Sequence, residues 1–369
     1  MKVKGSAKPA NEPMQMTVEP ENRPAWRRGV TLRDVANDSG VSVTTVSRIL
    51  NGRVSGIPIR DETRTRVLQA AERLGYAPNL LARGLRGSRS SLLGVIARDI
   101  SDPFHLQVLR GLNEAARGRD YRLFLGHVDY RAEVAIAYGS MFERSHADGI
   151  IVIGDIEGGD PALDILAQQH RYVVGVTDRT GRRQVPGVYG DSVSGTLLAM
   201  DHLWSLGHRA IVCVSDARTY DGRRRIEVYR EFMEQHGAAD HVAVHITDPE
   251  PAPSYELGRR LFADGGADGA TAIYATSDTT ALGLMKAAFE AGVSIPAGVS
   301  MVGYDDIDLA AYTIPPLTTI SQSGVEMGRL AGELLFDMIA RGASREDVAD
   351  IVLSPKLVAR QSTTAPAGR

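Results

Sequence analysis

The sequence has a single cysteine, Cys213, among its 369 residues. One cysteine excludes a disulfide framework and a cysteine metal cluster. Its place inside an apolar run is typical of a small buried side chain in a reducing compartment. The chain also lacks any run of roughly 18 uncharged apolar residues, and its first residues include lysines but no apolar signal segment. We therefore expect a cytoplasmic protein with no membrane partner.

Sequence motifs of two common enzyme classes are missing as well. There is no Gly-x-Ser-x-Gly elbow and no phosphate-binding loop of the Walker type. The adjacent carboxylates of Asp305 and Asp306 would point to opposite faces of one strand, so they could not act together on one bond. We therefore expect no enzyme, no catalytic residue, no metal ligand and no cofactor.

Charge is distributed unevenly along the chain. Residues 1–89 hold 16 basic and 8 acidic residues, a balance of +8, whereas the remainder holds 26 and 37, a balance of −11. A small basic module before a large acidic one indicates a polyanionic partner for the first part. The alternative is a chance asymmetry of an ordinary solvated surface.

Residues 31–51 have the pattern of two short helices joined by a tight turn. Thr31 and Asp34 have the spacing of a capping box, so a helix should begin at Leu32 and end at Gly40. Ser42 can cap a second helix. Its apolar residues recur with helical period before an Asn-Gly pair that ends it: Val43, Val46, Ile49, Leu50, then Asn51 and Gly52.

This pattern predicts a helix-turn-helix that reads duplex DNA. With Val46 and Ile49 turned inward, the opposite face of the second helix would meet the major groove, where Arg48 can donate two hydrogen bonds to a guanine. An αα-hairpin with an incidental polar face is the alternative. The expected DNA contacts of this module are Thr31, Val43, Thr44, Thr45, Ser47, Arg48 and Asn51.

A third amphipathic helix over residues 60–74, closed by Gly75, completes the module. Residues 79–85 follow as a helical segment too short to be stable alone. It would order only when packed on a second copy and on a DNA minor groove, with Asn79 and Leu85 as contacts and Leu85 as the apolar wedge. A plain interdomain linker is the alternative.

Beyond residue 90, apolar runs alternate with segments of helical length. The pattern predicts an α/β body with a doubly wound parallel sheet, and two "ADG" turns at 147–149 and 267–269 hint at two similar halves. The predicted strands are 92–97, 121–126, 149–153, 172–176, 210–214, 242–246, 270–275 and 299–304.

Ligands of open α/β sheets bind beyond the carboxyl ends of the strands. Side chains that follow four of the predicted strands are polar, which suits a hydroxyl-rich ligand in a cleft between the halves. For Asp278 a helix N-cap is the alternative role, and for Asp306 a turn. These side chains are Arg98, Asp99, Asp102, Asp155, Glu157, Ser277, Asp278, Asp305 and Asp306.

Together these motifs resemble the LacI/GalR family of bacterial transcription regulators. The resemblance begins with "VTLRDVANDSGVSVTTVSRILNG" and "LGYAPNLLARGLR" and continues through "GVIARDISDPFH", "HLWSLGHRAIVCVS", "ATSDTTALGLMKAAFEAGVSIPAGVSMVGYDD" and "LVARQST". It covers residues 30–364. The domains expected are a disordered leader (1–29), the helix-turn-helix (30–76), a hinge (77–90), a two-lobed effector-binding and dimerisation body (91–364) and a tail (365–369).

The resemblance implies a homodimeric, allosteric repressor that binds a palindromic operator and responds to a small effector, a sugar or sugar phosphate. It implies a periplasmic-binding-protein-like body. The effector contacts expected from the resemblance and from the strand ends are Arg98, Asp99, Phe104, His105, Arg225, Ser277, Asp305 and Gln322.

Some residues depart from the family pattern. Arg98 stands where many relatives have proline, and His105 where they have a second aromatic residue after Phe104. If Arg98 and Arg225 both enter the cleft, an acidic or phosphorylated sugar is favoured; otherwise Arg98 points to solvent or pairs with Asp99. For Phe104 the alternative is core packing. The other class of function is a transport-type sugar-binding protein without a DNA role.

Overall fold

The computed structural model describes residues 30–50, 58–76, 89–154, 161–177, 185–263, 267, 269–343 and 345–367. The chain divides into two compact units between residues 79 and 80. We call the first unit the head and the second the body. The predicted class, a helical head followed by an α/β body with parallel sheets, is confirmed. Within the described residues, no helix combines the length and the apolar character needed to cross a membrane.

The helices of the head begin and end at the signals seen in the sequence. The capping box at Thr31 is present, and Gly40 ends the first helix with a φ of 67°. The Oγ of Ser42 accepts the backbone N–H of Thr45 at 3.1 Å, which caps the second. The third begins one residue later than predicted, because Arg60 keeps an extended backbone. These helices are α1 (Leu32–Ser39), α2 (Val43–Leu50) and α3 (Asp61–Leu74).

The three helices enclose a small apolar core. Val46 and Ile49 of α2 are buried, as the helical period predicts, and they pack with residues of both neighbouring helices. The buried partners are Val35, Ala36, Val67, Ala70 and Ala71. With its apolar side buried in this way, α2 leaves its other face for a partner.

The first lobe of the body has a six-stranded sheet in which all neighbouring strands are parallel. Its strands are β1 (Leu92–Ala97), β2 (Arg122–His127), β3 (Gly149–Ile153), β4 (Val173–Thr177), β5 (Gly187–Gly190) and a late strand, β11 (Ile351–Leu353). They lie in the order β11-β5-β4-β3-β1-β2.

Helices cover both faces of this sheet. Along β1, Val95 and Ala97 belong to the core on one face, whereas Ile96 belongs to the core on the other. This alternation buries both faces of a parallel strand. One face packs against α4 (Pro103–Arg117) and α11 (Gly324–Arg341), the other against α5 (Ala132–Arg144) and α6 (Pro161–Gln169).

The second lobe repeats the same construction with a four-stranded parallel sheet. Its strands are β6 (Ile211–Ser215), β7 (Ala243–Ile246), β8 (Ala272–Ala275) and β9 (Ser300–Val302), in the order β7-β6-β8-β9. Its helices are α7 (Ser192–Ser205) and α8 (Tyr220–Gln235) on one face, and α9 (Pro251–Leu261) and α10 (Asp278–Glu290) on the other. A short antiparallel pair, β10 (Thr319–Ser321) with β12 (Lys356–Val358), completes it.

All eight predicted strands are present, with bounds that shift by up to two residues at either end. The sequence pattern missed four strands, namely β5, β10, β11 and β12. Each has only three or four residues; β7, β8 and β9 are equally short, but they lie within longer apolar runs of the sequence, at 242–246, 270–275 and 299–304. The chain passes between the lobes next to these strands, after β5, after β10 and after β11.

Two glycines allow α4 and α11 to cross at close range. A Cβ at Gly111 would lie 1.8 Å from the carbonyl oxygen of Val325, and a Cβ at Gly328 would lie 1.9 Å from that of Val108. Both obstacles are backbone atoms, which cannot rotate away. The position of α11 against the first lobe therefore requires glycine at both residues.

We expect Gly111→Ala to destabilise the body by about 1–3 kcal/mol, because the added methyl group forces the two helices apart. Urea unfolding followed by circular dichroism measures this change. Gly118→Ala at the end of the same helix is the matched control, since a Cβ there meets its nearest atom at 3.7 Å. Equal midpoints for the two variants would contradict the crossing argument.

Candidate functional site

The outer face of α2 carries the side chains predicted to contact DNA. Val43 and Thr44 are exposed, and Ser47 and Arg48 are half-buried. The hydroxyl of Thr45 lies 2.8 Å from the Oγ of Ser42, inside the helix cap.

Thr31 also belongs to a cap, because its Oγ1 donates to the carboxylate of Asp34 at 2.7 Å. Its side chain remains exposed. Three other predicted DNA contacts, Asn51, Asn79 and Leu85, lie outside the described residues.

A cleft of about 540 Å³, including the part open to solvent, lies between the two lobes of the body. It is placed at the carboxyl ends of β1, β4, β6 and β8 and at the first turns of α4, α8 and α10, as the topology predicts. Its lining includes seven of the eight predicted effector contacts: Arg98, Phe104, His105, Arg225, Ser277, Asp305 and Gln322.

Asp99 was predicted as the eighth contact but does not line the cleft. Its carboxylate turns back on its own loop and accepts the N–H and the hydroxyl of Ser101, both at 2.7 Å. Burial raises the pKa of Asp99, but the hydrogen bonds from Ser101 outweigh this and lower it. Its carbonyl oxygen lies 2.8 Å from the Nδ1 of His105, so Asp99 positions that ring.

The first-lobe wall of the cleft contains a cluster that we call the Arg98 triad: Arg98, Asp102 and His105. One terminal nitrogen of Arg98 lies 3.5 Å from the Asp102 carboxylate and 3.3 Å from the Nε2 of His105. Arg98 is only 8% exposed, so the alternative that it points to solvent is wrong. Phe104 fits both of its predicted roles, because it is buried in the lobe core and also lines the cleft.

Arg225 projects into the cleft from the second lobe. Its Nη1 donates to the carbonyl of Thr276 at 2.7 Å, its Nη2 lies 3.7 Å from the Asp221 carboxylate, and its Cζ lies 3.7 Å from the centre of the Tyr304 ring. Burial lowers the pKa of Arg225, but Tyr304 and Asp221 more than compensate, and the net pKa is raised. The guanidinium is therefore charged.

Asp305 and Asp306 diverge after β9. Asp305 is 7% exposed and accepts a hydrogen bond from the Nε2 of Gln322 at 2.7 Å. Asp306 pairs with Arg360 at 2.6 Å, outside the cleft lining. The two carboxylates separate, as expected, but for a different reason. Both residues come after the end of β9 and have positive φ values, 114° for Asp305 and 57° for Asp306, so they do not alternate along a strand.

Ser277, not Asp278, caps α10, so the N-cap role considered for Asp278 is wrong. The Oγ of Ser277 accepts the N–H of Thr280 at 3.2 Å. Asp278 is fully buried and accepts the N–H of Ile307 at 2.9 Å and the hydroxyl of Thr319 at 2.5 Å. Burial raises the pKa of Asp278 to about 7.

Several polar residues of the cleft were not selected from the sequence. They follow β4, β6 and β8 or stand in the first turns of α8 and α10: Thr177, Asp216, Thr219, Asp221, Thr276 and Thr279. The rule that selected Arg98, applied to every strand, would have found Thr177, Asp216 and Thr276. Asp155 and Glu157, which it did select, lie outside the described residues.

No group of three or more His, Cys, Asp or Glu side chains is placed to hold a metal ion within the part of the chain that the structure describes. The chemistry available in the cleft is hydrogen bonding by carboxylates, guanidinium groups, hydroxyls, one imidazole and one carboxamide. Such a set binds ligands with many hydroxyl groups.

Comparison with known proteins gives consistent matches. Residues 31–79 match bacterial regulatory proteins of the lacI family, and residues 200–363 match the periplasmic binding protein-like domain. The HTH-type transcriptional regulator DegA of Bacillus subtilis (strain 168) is 32% identical over 345 residues, which are 90% of this chain and 98% of DegA.

Solved structures agree in fold. The lac repressor dimer bound to operator and the anti-inducer ONPF has a TM-score of 0.79 and 25% identity, covering 92% of this chain and all of that one. A LacI family regulator from Enterococcus faecium with bound ribose has a TM-score of 0.67 and 28% identity, covering 74% of this chain and 99% of that one.

A helix-turn-helix head followed by a two-lobed body with a polar cleft defines a class of bacterial regulatory protein. The likeness to DegA extends over nearly the full length of both chains. This chain belongs to the lacI family of bacterial regulatory proteins.

The raised pKa of Asp278 predicts that stability falls as pH rises. The folded protein keeps the Asp278 proton up to a pH of about 7, whereas the unfolded chain releases it near its usual value of 3.8. The stabilisation is therefore complete below the lower value and is lost as pH rises through the upper one.

We expect the free energy of unfolding of the natural protein to fall by up to roughly 4 kcal/mol relative to Asp278→Asn over this pH range. Urea titrations between the two pH limits measure the difference. Asp337→Asn on the exposed face of α11 is the control and should keep the natural slope. If Asp278→Asn keeps it too, the assignment of this proton to Asp278 fails.

Proposed function

We propose that this protein is a transcriptional repressor whose affinity for a palindromic operator is controlled by a sugar bound between the lobes of its body. One observation carries the proposal: hydrogen-bonding side chains from both lobes line a cleft in a chain that also has a helix-turn-helix head. The repressor and sugar-bound proteins that resemble it support this assignment. Since bacterial operators lie in the cytoplasm, the protein acts there.

The head would read the operator through α2. Arg48 would donate to a guanine, and Val43, Thr44, Thr45 and Ser47 would supply the surrounding contacts to thymine methyls and phosphates. Thr31 would contribute at the start of α1, and Asn51, Asn79 and Leu85 remain proposed contacts beyond the described residues.

The effector would bind in the cleft with contacts from both lobes. Arg98, Phe104 and His105 would act from the first lobe, and Arg225, Ser277 and Asp305 from the second, with Gln322 holding Asp305 in place. A ligand that touches both walls favours the closed arrangement of the lobes, because only that arrangement makes all the contacts at once.

Closure would reach the head through the first residues of the body. The N–H and hydroxyl of Ser90 and the N–H of Ser91 donate to the Asp148 carboxylate at 2.9, 3.1 and 3.0 Å. These bonds fix the start of the body to the first lobe. Movement of that lobe would then change the separation of the two hinges in a dimer. Residues 79–85, the proposed hinge segment, lie outside the described residues.

Two copies would pair through an apolar surface on the second lobe. Leu309, Tyr312 and Ile314 lie within six residues of one another and are 55%, 81% and 96% exposed. Large apolar side chains grouped in this way mark a protein interface. Pairing of the bodies would set two heads about one helical turn apart on DNA, which a palindromic operator requires.

Two other functions fit the chain less well. A transport-type sugar-binding protein has no use for the three helices of the head. An enzymatic function fits less well because the proteins that this chain matches along nearly their whole length are transcriptional regulators.

We expect Arg48→Ala to weaken specific DNA binding by about 1–3 kcal/mol, roughly 5- to 150-fold, because the guanine loses its bidentate donor. A duplex is first selected from a random library with the natural protein. Gel retardation at fixed salt then gives the ratio of specific to random binding. Arg66→Ala on α3 is the control and should leave this ratio unchanged. If no duplex is selected over random competitor, the proposed function fails.

We expect the double variant Tyr312→Asp, Ile314→Asp to sediment as a monomer, because charge on the apolar surface opposes its burial. Sedimentation velocity against the dimeric natural protein measures this. Val352→Asp, at an exposed apolar residue on the edge strand β11, is the matched control and should remain dimeric. A dimeric double variant would place the interface elsewhere.

A further inference from the structure

The arginine and aspartate side chains that line the cleft carry no excess of positive charge. Two guanidinium groups, of Arg98 and Arg225, face four carboxyl groups, of Asp102, Asp216, Asp221 and Asp305, within the described lining. Burial raises the pKa of Asp305 well above its usual range. Even with Asp305 left out of the count, three carboxyl groups face the two guanidinium groups, and one of the three, Asp216, also pairs with Arg218 at 3.3 Å. The cleft therefore offers no surplus positive charge to a ligand.

The protein itself already engages terminal nitrogens of both guanidinium groups. A carboxylate or phosphate is held most strongly when two parallel N–H groups of one arginine bind it. In Arg225, Nη1 donates to Thr276 and Nη2 faces Asp221. In Arg98, the terminal nitrogen faces Asp102 and His105. An anionic ligand would have to displace these carboxylates, and they would repel it.

Three other polar atoms of the cleft match a ligand that can both donate and accept hydrogen bonds. The Nε of Arg225, the Oδ2 of Asp216 and the Oγ1 of Thr177 are buried without a hydrogen-bond partner among the described residues. Their residues are 7%, 7% and 6% exposed, and all three line the cleft. Buried polar groups without partners are rare because they are costly. One donor, one acceptor and one hydroxyl match the hydroxyl groups of a sugar.

We propose that the effector is an uncharged polyhydroxylated molecule of the sugar class, and that the Arg98 triad together with the Asp221–Arg225 pair excludes sugar acids and sugar phosphates. This inference rests on the proposed function, because it assigns the ligand of the same cleft. The two arginines that favour an acidic sugar when the sequence is considered alone are neutralised by carboxylates. The cleft discriminates against a charged sugar because its carboxylates repel that sugar, and not because an added attraction favours the neutral one.

The test uses the full-length protein and sugars in neutral and charged pairs. D-Glucose, D-galactose and D-ribose are compared with D-glucuronate, D-galacturonate and D-ribose 5-phosphate at constant ionic strength. Thermal unfolding detects stabilisation, and calorimetric titration gives affinities. We expect at least one neutral sugar to stabilise the natural protein and its charged partner to fail. If only charged sugars stabilise it, or if none of the six does, the inference is overturned.

Asp102→Asn tests the role of the triad, because asparagine can still cap α4 while the charge beside Arg98 is removed. We expect the ratio of acid to neutral affinity to rise roughly tenfold or more, which is about 1.4 kcal/mol. Asp221→Asn should act in the same direction through Arg225. Asp337→Asn, an exposed site on α11, should leave the ratio unchanged. If neither cleft variant changes the ratio, the assigned cause of exclusion is wrong.

Operator retardation by the same preparations separates this inference from the proposed function. A protein that selects an operator but binds a sugar acid retains its proposed function and loses the inference. A protein that binds a neutral sugar but no operator loses the function, whatever its ligand.

Discussion

The body depends on one constraint: in a parallel sheet all the carboxyl ends meet at the same edge. Each lobe has such a sheet, and the edge of each faces the cleft. The first turns of the helices that follow reach the same space, with free backbone N–H groups and capping side chains such as Asp102 and Thr219. Polar residues far apart in the chain are thereby brought together without any local motif. The cleft follows from the topology before any particular residue is considered.

Once charged side chains are placed in that space, burial decides their partners. Burying a guanidinium group is costly unless acceptors and an aromatic ring replace the water around it. Arg225, which is 7% exposed, has the carbonyl of Thr276 and the carboxylate of Asp221 as acceptors and the ring of Tyr304 against its plane. The same demand gives Arg98 its neighbours, Asp102 and His105. Both arginines are therefore matched by neighbouring acceptors, and under the inference drawn above the selectivity of the cleft would lie in how completely each charge is matched.

The sequence predicted best the features that depend on neighbours along the chain. The capping box of Thr31 and the end of α1 at Gly40 are local, so both were found. The eight strands that lie within apolar runs and the place of the cleft were also predicted. Pairs such as Gln322 with Asp305, 17 residues apart, depend on how loops meet and could not be derived from spacing. Asp99 was misplaced for a different reason, because a local hydrogen bond from Ser101, two residues along the chain, turns its carboxylate away from the cleft.

The contacts that join the two lobes across the cleft are individually weak, and this bears on how the cleft can act as a switch. Arg110 and Asp308 form an exposed ion pair at 3.6 Å, and the Nε2 of Gln107 donates to the carbonyl of Asp306 at 2.9 Å. A terminal nitrogen of Arg218 lies 3.5 Å from the hydroxyl of Tyr130.

Contacts of these kinds contribute about 1 kcal/mol or less each. The open and closed arrangements of the lobes would then differ in free energy by only a few kcal/mol. Shifting a population from 1:99 to 99:1 takes about 5.5 kcal/mol. Under the proposed function, a ligand that hydrogen-bonds the buried atoms of Arg225, Asp216 and Thr177 would contribute about 1–3 kcal/mol for each atom toward such a shift.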